Sequence, residues 1–400
     1  MRTLFTALVL VILLCSVSLA LADTPVAVAA EKGTGITVIH ANEWAETYPD
    51  IYASYQANSE NEEVHEYTEV HPFIKVIYED YGFARYYGSA RGHYYCIKDL
   101  TSTGRPHALA NCFTCKTADF TVLTLNEGDS AYSKPFDELD HSSFDDVGCF
   151  TCHANTPGSQ ITVTHTYLVD AMGEDFTKVP AETLSCAQCH VEYYFAPEGK
   201  MTSLPYTSLA DMTPDSMYDF YEAMNFSDYT NPRTGVKQLK TQHPEFETYM
   251  GQGSVHAGTF TCADCHMERL TAEDGTTYPS HKYVSPLESE NIQASCAACH
   301  KDLGTFVHGI QEKVTTRTTE LGEKLEAYTN RLADLVASGK YTDEQLADIR
   351  ALNRKGQWYW DFVFVENSDG AHNSRLTARC LDMAEAFINA GFLLMDALDI

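Results

Sequence analysis

The sequence predicts a mainly α-helical fold with little β-structure, a core not built from side chains alone, and long helices at the C-terminus. Three observations carry that expectation. Five segments hold cysteine pairs at Cys-x-x-Cys spacing, loops rich in Gly, Pro, Thr and Asp separate them between residues 101 and 300, and a helical apolar periodicity takes over after His300.

The paired cysteines decide what fills the core. Four of the segments read Cys-x-x-Cys-His: Cys149, Cys152 and His153; Cys186, Cys189 and His190; Cys262, Cys265 and His266; Cys296, Cys299 and His300. With 13 Cys and 16 His in 400 residues, random placement gives this string about 0.02 times. In it both thiols form thioethers with haem vinyl groups and the histidine becomes an axial iron ligand. Zinc ribbons need two Cys-x-x-Cys knuckles per metal and no histidine directly after each. A thioredoxin-like redox motif stands once, near a βαβ pattern. The fifth segment, Cys112-Phe113-Thr114-Cys115-Lys116, keeps the cysteine spacing but has lysine where the histidine should stand. The chain is therefore read as a multihaem cytochrome c with five covalently bound haem c groups, one of them ligated unlike the others. Haems supplying the apolar core explain how long irregular segments can be held, and each motif is expected at the start of a short helix or within one.

Taken in order, residues 1–22 read as a secretory signal. Arg2 is the charged start, Leu4 to Leu14 the apolar run, and Ala20-Leu21-Ala22 a small-residue cleavage site. An uncleaved membrane anchor is the competing reading, disfavoured by the short apolar run. Cys15 would leave with this segment. Export fits haem attachment outside the bacterial cytoplasm and predicts a periplasmic protein. Residues 23–400 read as a single catalytic domain, with the haem-binding core over about 85–300 and C-terminal helices over about 301–400. Residues 23–100 show little regular periodicity. After His300, Leu303, Val307, Ile310, Val314, Leu321, Leu325, Tyr328, Leu332 and Leu335 follow three- and four-residue steps. Gly339 ends that helix, and Thr342-Asp343-Glu344-Gln345 is a capping box opening the next. The second helix runs toward Trp358 to Val365, and a third spans about Ser374 to Ala397. These helices either pack on the haem core or form a dimer interface. Cys96 and Cys380 belong to no motif and are read as buried free thiols.

The formal net charge is −29, and −30 once Arg2 is removed with the signal. Such acidity argues against nucleic acid as a partner, since that requires a basic face. An anionic substrate would need locally arranged positive charge. A haem iron with two strong axial ligands passes electrons but does not readily bind substrate. Twelve histidines lie outside the motifs, enough to close four irons. The lysine-ligated iron is the candidate for an open site; lysine ligates after losing its proton, which a strongly positive metal favours.

Glu192-Tyr193-Tyr194 directly after the third motif, Lys240-Thr241-Gln242-His243-Pro244 before the fourth, the Cys112–Lys116 haem and the four histidine haems together resemble pentahaem, ammonia-forming cytochrome c nitrite reductase over roughly residues 85–375. That resemblance implies Lys116 as proximal ligand of the active haem, with Arg105, Tyr193 and His243 lining its distal pocket. It implies one Ca2+ held by Glu192 and Gln242 and by the backbone carbonyls of Tyr193 and Lys240, an oxygen-only set of the kind calcium prefers. It supplies the remaining axial ligands: His281 for haem 2, His93 for haem 3, His372 for haem 4 and His256 for haem 5. A homodimer is implied too, although the chain ends about 28 residues after His372, where family members usually continue through further helix.

The implied reaction takes nitrite to ammonia with six electrons and eight protons at one iron. His243 and Arg105 would hydrogen-bond the nitrite oxygens, Tyr193 would be a further donor, and haems 2 to 5 would relay and store electrons. The electron donor would be a cytochrome, either a membrane-bound quinol-oxidising one or a soluble one. Two alternatives stand beside this: a reductase acting mainly on hydroxylamine or sulfite, and a multihaem electron carrier without a substrate. Lys116 is the feature against the carrier.

Overall fold

The computed structural model describes residues 27–86, 88, 91–106 and 108–398. The signal segment, Cys15 and His107 lie outside the described residues. Among the described residues helices dominate, and strand is confined to four two-stranded pairs. Val28–Ala29 runs parallel to Thr162–Val163, tying the start of the described chain to the segment between the second and third motifs. Tyr194–Phe195 pairs antiparallel with Thr202–Ser203, Tyr229–Thr230 with Lys237–Gln238, and Arg269–Thr271 with Thr277–Pro279. Among the described residues, no helix is long and apolar enough to cross a membrane.

The haem motifs differ in how they sit on helices. Cys149–His153 and Cys262–His266 are themselves short helices. The second opens on a capping box, with Thr261 Oγ1 accepting from Asp264 N at 3.2 Å and Asp264 Oδ2 accepting from Thr261 N at 2.8 Å. At the third and fifth motifs the helix comes earlier and stops there, over Ala181–Ala187 and Glu290–Cys296. The expectation of a motif at the start of a helix or within one is corrected for those two. Their ligand histidines lie just past the helix end, in backbone free of the helical ladder. Cys112 lies in a single turn of 3-10 helix, Ala110–Phe113.

The C-terminal quarter is three long helices, Leu303–Ser338, Asp343–Phe364 and Ser374–Leu398. Gly339 caps the first at φ +63°, a left-handed position that costs glycine nothing. The Thr342 capping box opens the second as the sequence predicts, with Gln345 N to Thr342 Oγ1 at 3.3 Å and Thr342 N to Gln345 Oε1 at 2.9 Å. The helices bury Leu321, Leu325, Tyr328, Leu332, Ile349, Cys380, Leu381 and Ile388 in the main core. Gly391 lets the third helix close on the first, since a Cβ there would stand 1.9 Å from the Tyr328 hydroxyl. Trp358 and Trp360 are wholly buried, and each indole N–H finds a carbonyl, of Pro214 at 2.9 Å and of Thr318 at 2.8 Å. The periodic faces thus pack on the body of the chain. Cys380 is buried as read, whereas Cys96 is only half-buried, because it opens the short Cys96–Ser102 helix instead of facing the core.

Candidate haem centres and active site

An imidazole nitrogen binds a metal at about 2 Å, which puts the ring centre roughly 3 Å from it, so two rings on one iron stand about 6 Å apart. The structure places four histidine pairs at that span. His153 and His281 have ring centres 6.4 Å apart, His190 and His93 6.2 Å, His266 and His372 6.1 Å, and His300 and His256 6.1 Å. Each joins a motif histidine to one far away in sequence. Burial also readies six of these rings as ligands, lowering His93, His153, His190, His256, His266 and His281, and iron binds the neutral form. Burial first, then neighbouring His281, pushes His153 down to about 4. Burial, then Lys116, pushes His93 to about 4, and burial, then His93, takes His190 to about 3. His372 is the exception. Burial works to lower it, but the charge and hydrogen bond of Glu366 outweigh that and hold it above the usual imidazole range.

The attachment cysteines sit close to one another in a definite order. Cys115 of the first motif and Cys189 of the third fall with His165 into one cluster whose ligand atoms lie within 4.8 Å. Cys186 of the third meets Cys262 of the fourth, and Cys265 of the fourth lies near Cys296 of the fifth. Cys152 of the second lies near Cys186. The Cys115–His165–Cys189 cluster is not a zinc site. Both thiols belong to haem motifs, and His165 is engaged at both nitrogens, with Gln188 Oε1 at 3.1 Å and Thr114 O at 2.7 Å.

Around the lysine motif, Phe113 is fully buried and stacks on Phe136 at 4.5 Å, fixing the 3-10 turn that carries Cys112. Arg105 is anchored through Nε to the Phe83 carbonyl at 2.7 Å, with its guanidinium 3.9 Å from the Phe83 ring centre. His243 is held neutral by burial first, and then by the positive charges of Lys116, Lys240 and Arg105 and by His190. Lys116 and Arg105 therefore lie close enough to His243 for their charges to act on it. Tyr193, half-buried, packs on the main core beside Phe195 at 5.5 Å.

The proposed calcium ligands also converge. Glu192 is 1% exposed; its Oε2 accepts from Gln242 N at 2.6 Å and its Oε1 from the Tyr221 hydroxyl at 2.9 Å. Gln242 Nε2 reaches the Lys240 carbonyl at 3.0 Å. A short β-pair follows Tyr193 and another ends two residues before Lys240, and the Glu192–Gln242 bond joins the two segments. Burial sets the Glu192 carboxyl well above its usual range; the Gln242 N–H pulls it down, and the neighbouring Glu247 adds to the rise. Glu247 is itself fully buried and pushed up to about 8, chiefly by burial, and its Oε2 has no hydrogen-bond partner. The Glu192 carboxylate, the Gln242 amide and the Lys240 carbonyl beside an unsatisfied buried carboxylate oxygen form a donor set that fits a hard dication.

Comparison with known proteins gives the same reading. Residues 40–398 match the family model described as cytochrome c552. A cytochrome c-552 of Aliarcobacter butzleri is 30% identical over 373 residues, covering 86% of this chain and 73% of that protein. The cytochrome c nitrite reductase subunit NrfA of Nitratidesulfovibrio vulgaris is 30% identical over 401 residues, covering 85% of this chain and 75% of its own. The chain belongs to the cytochrome c552 family. This family includes nitrite reductases such as that relative, which is the resemblance drawn from the lysine motif. The solved catalytic subunit of cytochrome c nitrite reductase from Desulfovibrio desulfuricans superimposes with TM-score 0.78 at 24% identity, covering 89% of this chain and 86% of that one. It shares the fold, and it has two calcium sites of its own.

Several residues that support the centre in this cytochrome c552 were not singled out from sequence. Asp361 is fully buried in the second long helix and bonds Lys240 Nζ through Oδ1 at 2.9 Å and Oδ2 at 3.0 Å, and Thr241 N at 2.8 Å. Asn58 donates to the His281 carbonyl at 2.7 Å, and Ser54 Oγ accepts from His281 N at 2.9 Å. Glu366 accepts from His372 Nδ1 at 2.7 Å. For Asp361 a signal existed: it is the one charge inside the run Trp358-Tyr359-Trp360-Asp361-Phe362-Val363. A carboxylate buried among aromatics calls for a partner.

Proposed function

We propose that this protein is a periplasmic, ammonia-forming nitrite reductase in which Lys116 is the proximal ligand of the catalytic haem. The observation that supports it best is a division of labour. Four histidine motifs each have an imidazole partner at the span of one iron, while the lysine motif has Arg105 and His243 in its surroundings. The residues present fit five haems, which would supply the electrons and, at Lys116, the place where nitrite binds. Arg105 offers a fixed guanidinium to the nitrite oxygens. Held neutral chiefly by burial and then by neighbouring positive charge, His243 donates one hydrogen bond and, once protonated, readily passes the proton on as oxygen leaves. Tyr193 is a further donor. Glu192, Gln242 and the carbonyls of Tyr193 and Lys240 would hold calcium, which fixes the tyrosine and histidine segments and adds positive charge for an anion in an acidic protein.

The order of the attachment cysteines supports a relay from the fourth and fifth haems through the third to the first, with the second beside the third. A donor cytochrome and a homodimer complete the proposal. The test is ammonium formed stoichiometrically from nitrite with a reduced dye. Electron uptake without ammonium favours the carrier, and faster turnover of hydroxylamine or sulfite favours the other reductase.

A further inference from the structure

Three of the proposed axial histidines hydrogen-bond through Nδ1, and their acceptors differ in charge. His266 meets the Val284 carbonyl at 2.9 Å and His281 the Pro279 carbonyl at 3.1 Å, both neutral acceptors. His372 meets a carboxylate, Glu366 Oε1, at 2.7 Å. Glu245 comes no nearer than 4.0 Å to His190 Nδ1, beyond hydrogen-bonding reach. Glu366 is 3% exposed and held in place by its own loop. Ser368 donates to it from Oγ at 2.6 Å and from N at 3.3 Å, and Ser368 Oγ in turn accepts from His372 N at 3.0 Å. The carboxylate is therefore set before any metal is bound, with its oxygen aimed at the ring nitrogen opposite the one that would face iron.

We infer that Glu366 is a positioning and tuning residue that lowers the reduction potential of the haem carried by Cys262, Cys265, His266 and His372. The inference rests on the proposed assignment of His372 as an axial ligand. A carboxylate accepting from Nδ1–H gives the ring histidinate character, raises its basicity as a ligand and favours the oxidised iron. Its negative charge, little screened at this depth, acts in the same direction. A carbonyl acceptor supplies the orientation without the charge. The haem at His266 and His372 is thus distinguished from the one at His153 and His281, which has the same axial pair but a neutral acceptor on His281.

The test is a potentiometric titration of the five-haem protein, each low-spin haem followed by optical and paramagnetic resonance spectra. Glu366→Gln keeps an acceptor at nearly the same place and removes the charge. One low-spin haem is expected to become easier to reduce by at least tenfold in its one-electron equilibrium, about 59 mV, while the others hold their potentials. A folded, fully loaded Glu366→Gln protein in which no potential moves overturns the inference; a purely structural role would lower thermal stability and leave the potentials alone. Wild-type protein gives a second reading that needs no variant to fold. One low-spin centre must show the stronger axial field of a histidinate-like ligand, and four equivalent centres overturn the inference. His372→Ala separates the two layers of the argument. A new high-spin centre there supports the ligand assignment, and its absence defeats that assignment and the inference with it.

Discussion

Replacing Asp361 should cost this protein more stability than any substitution of an exposed ion pair, and should disturb the catalytic segment at the same time. Lys240 is 6% exposed and Asp361 fully buried, so neither charge can turn to water if the other is lost. Burial pushes the Asp361 carboxyl up against the opposing pull of Lys240. Desolvation therefore exceeds the gain from pairing, and the pair by itself is not a net source of stability. Removing one partner is a different perturbation. Asp361→Ala strands a buried ammonium, a loss of about 3–5 kcal/mol, and leaves the Thr241 N–H without the acceptor it has at 2.8 Å. Because bound cofactors break two-state behaviour, the measurement is a shift in denaturant midpoint, followed by Soret absorbance at equal haem content. Lys240→Met with Asp361→Leu, which removes both charges, should recover most of the loss. In Asp361→Ala the Lys240–His243 segment also loses its clamp, so the apparent KM for nitrite should rise. A fully loaded Asp361→Ala protein with wild-type midpoint and kinetics, or a double variant as unstable as the single, refutes this reasoning.

Five haems should remain on the mature protein after denaturation, since thioethers survive loss of the fold; an intact mass with four haems and free Cys112 and Cys115 defeats the enzyme reading. Lys116→His should keep its haem but abolish most nitrite turnover while electron transfer among the other haems persists, and unchanged activity in the loaded variant would make the lysine incidental. Wild type should show one high-spin or weakly ligated haem among low-spin ones, and a spectrum wholly low-spin favours the carrier. Glu192→Ala or Gln242→Ala should lose bound calcium, raise the KM for nitrite several-fold and retain all haems. Wild-type protein that contains no calcium, and whose kinetics ignore chelator, removes the calcium site from the proposal.

The parts legible in the sequence are those whose signal is local. Paired cysteines need only their spacing, and the Thr342 box and Gly339 cap need only a few residues, so the motifs and the three long helices could be placed to within a residue or so. Partners across the fold are another matter. Nothing near His281 in sequence says that it faces His153, because a separation of 128 positions leaves that choice to tertiary packing; the family resemblance supplied it. Where the motif helices end was misread at Cys186 and Cys296 because covalent attachment constrains the thiols and not the backbone around them. Glu366 lies past the end of its helix, where a carboxylate ordinarily signals nothing but solvent. Only burial at 3% marks it as different.

Burial of carboxylates ties these observations together. Glu192, Glu245, Glu247, Asp361 and Glu366 are all less than a tenth exposed, in a chain that is already strongly acidic. An isolated buried carboxylate is costly enough that it shifts its pKa or acquires a counter-charge. Glu366 has His372 and the Ser368 hydrogen bonds, which hold it below its usual range against burial, and Asp361 has Lys240, which opposes the upward push of burial without cancelling it. Glu192, Glu245 and Glu247 are pushed upward, Glu245 to about 7 and Glu247 to about 8, each chiefly by burial. Glu192 is a proposed calcium ligand, Glu247 accepts from its N–H at 3.0 Å, and Glu245 stands near the His190 and His372 rings. Positive charge from a dication and from ferric haems is what that arrangement lacks within the protein alone. Loading the cofactors should therefore return these carboxyls toward the ionised range. Infrared difference spectra of the carboxyl region, taken with and without calcium and between oxidised and reduced haem, test this directly. Protonated-carboxyl bands that neither metal nor redox state alters would show that the three carboxylates are not the counter-charge to the cofactors.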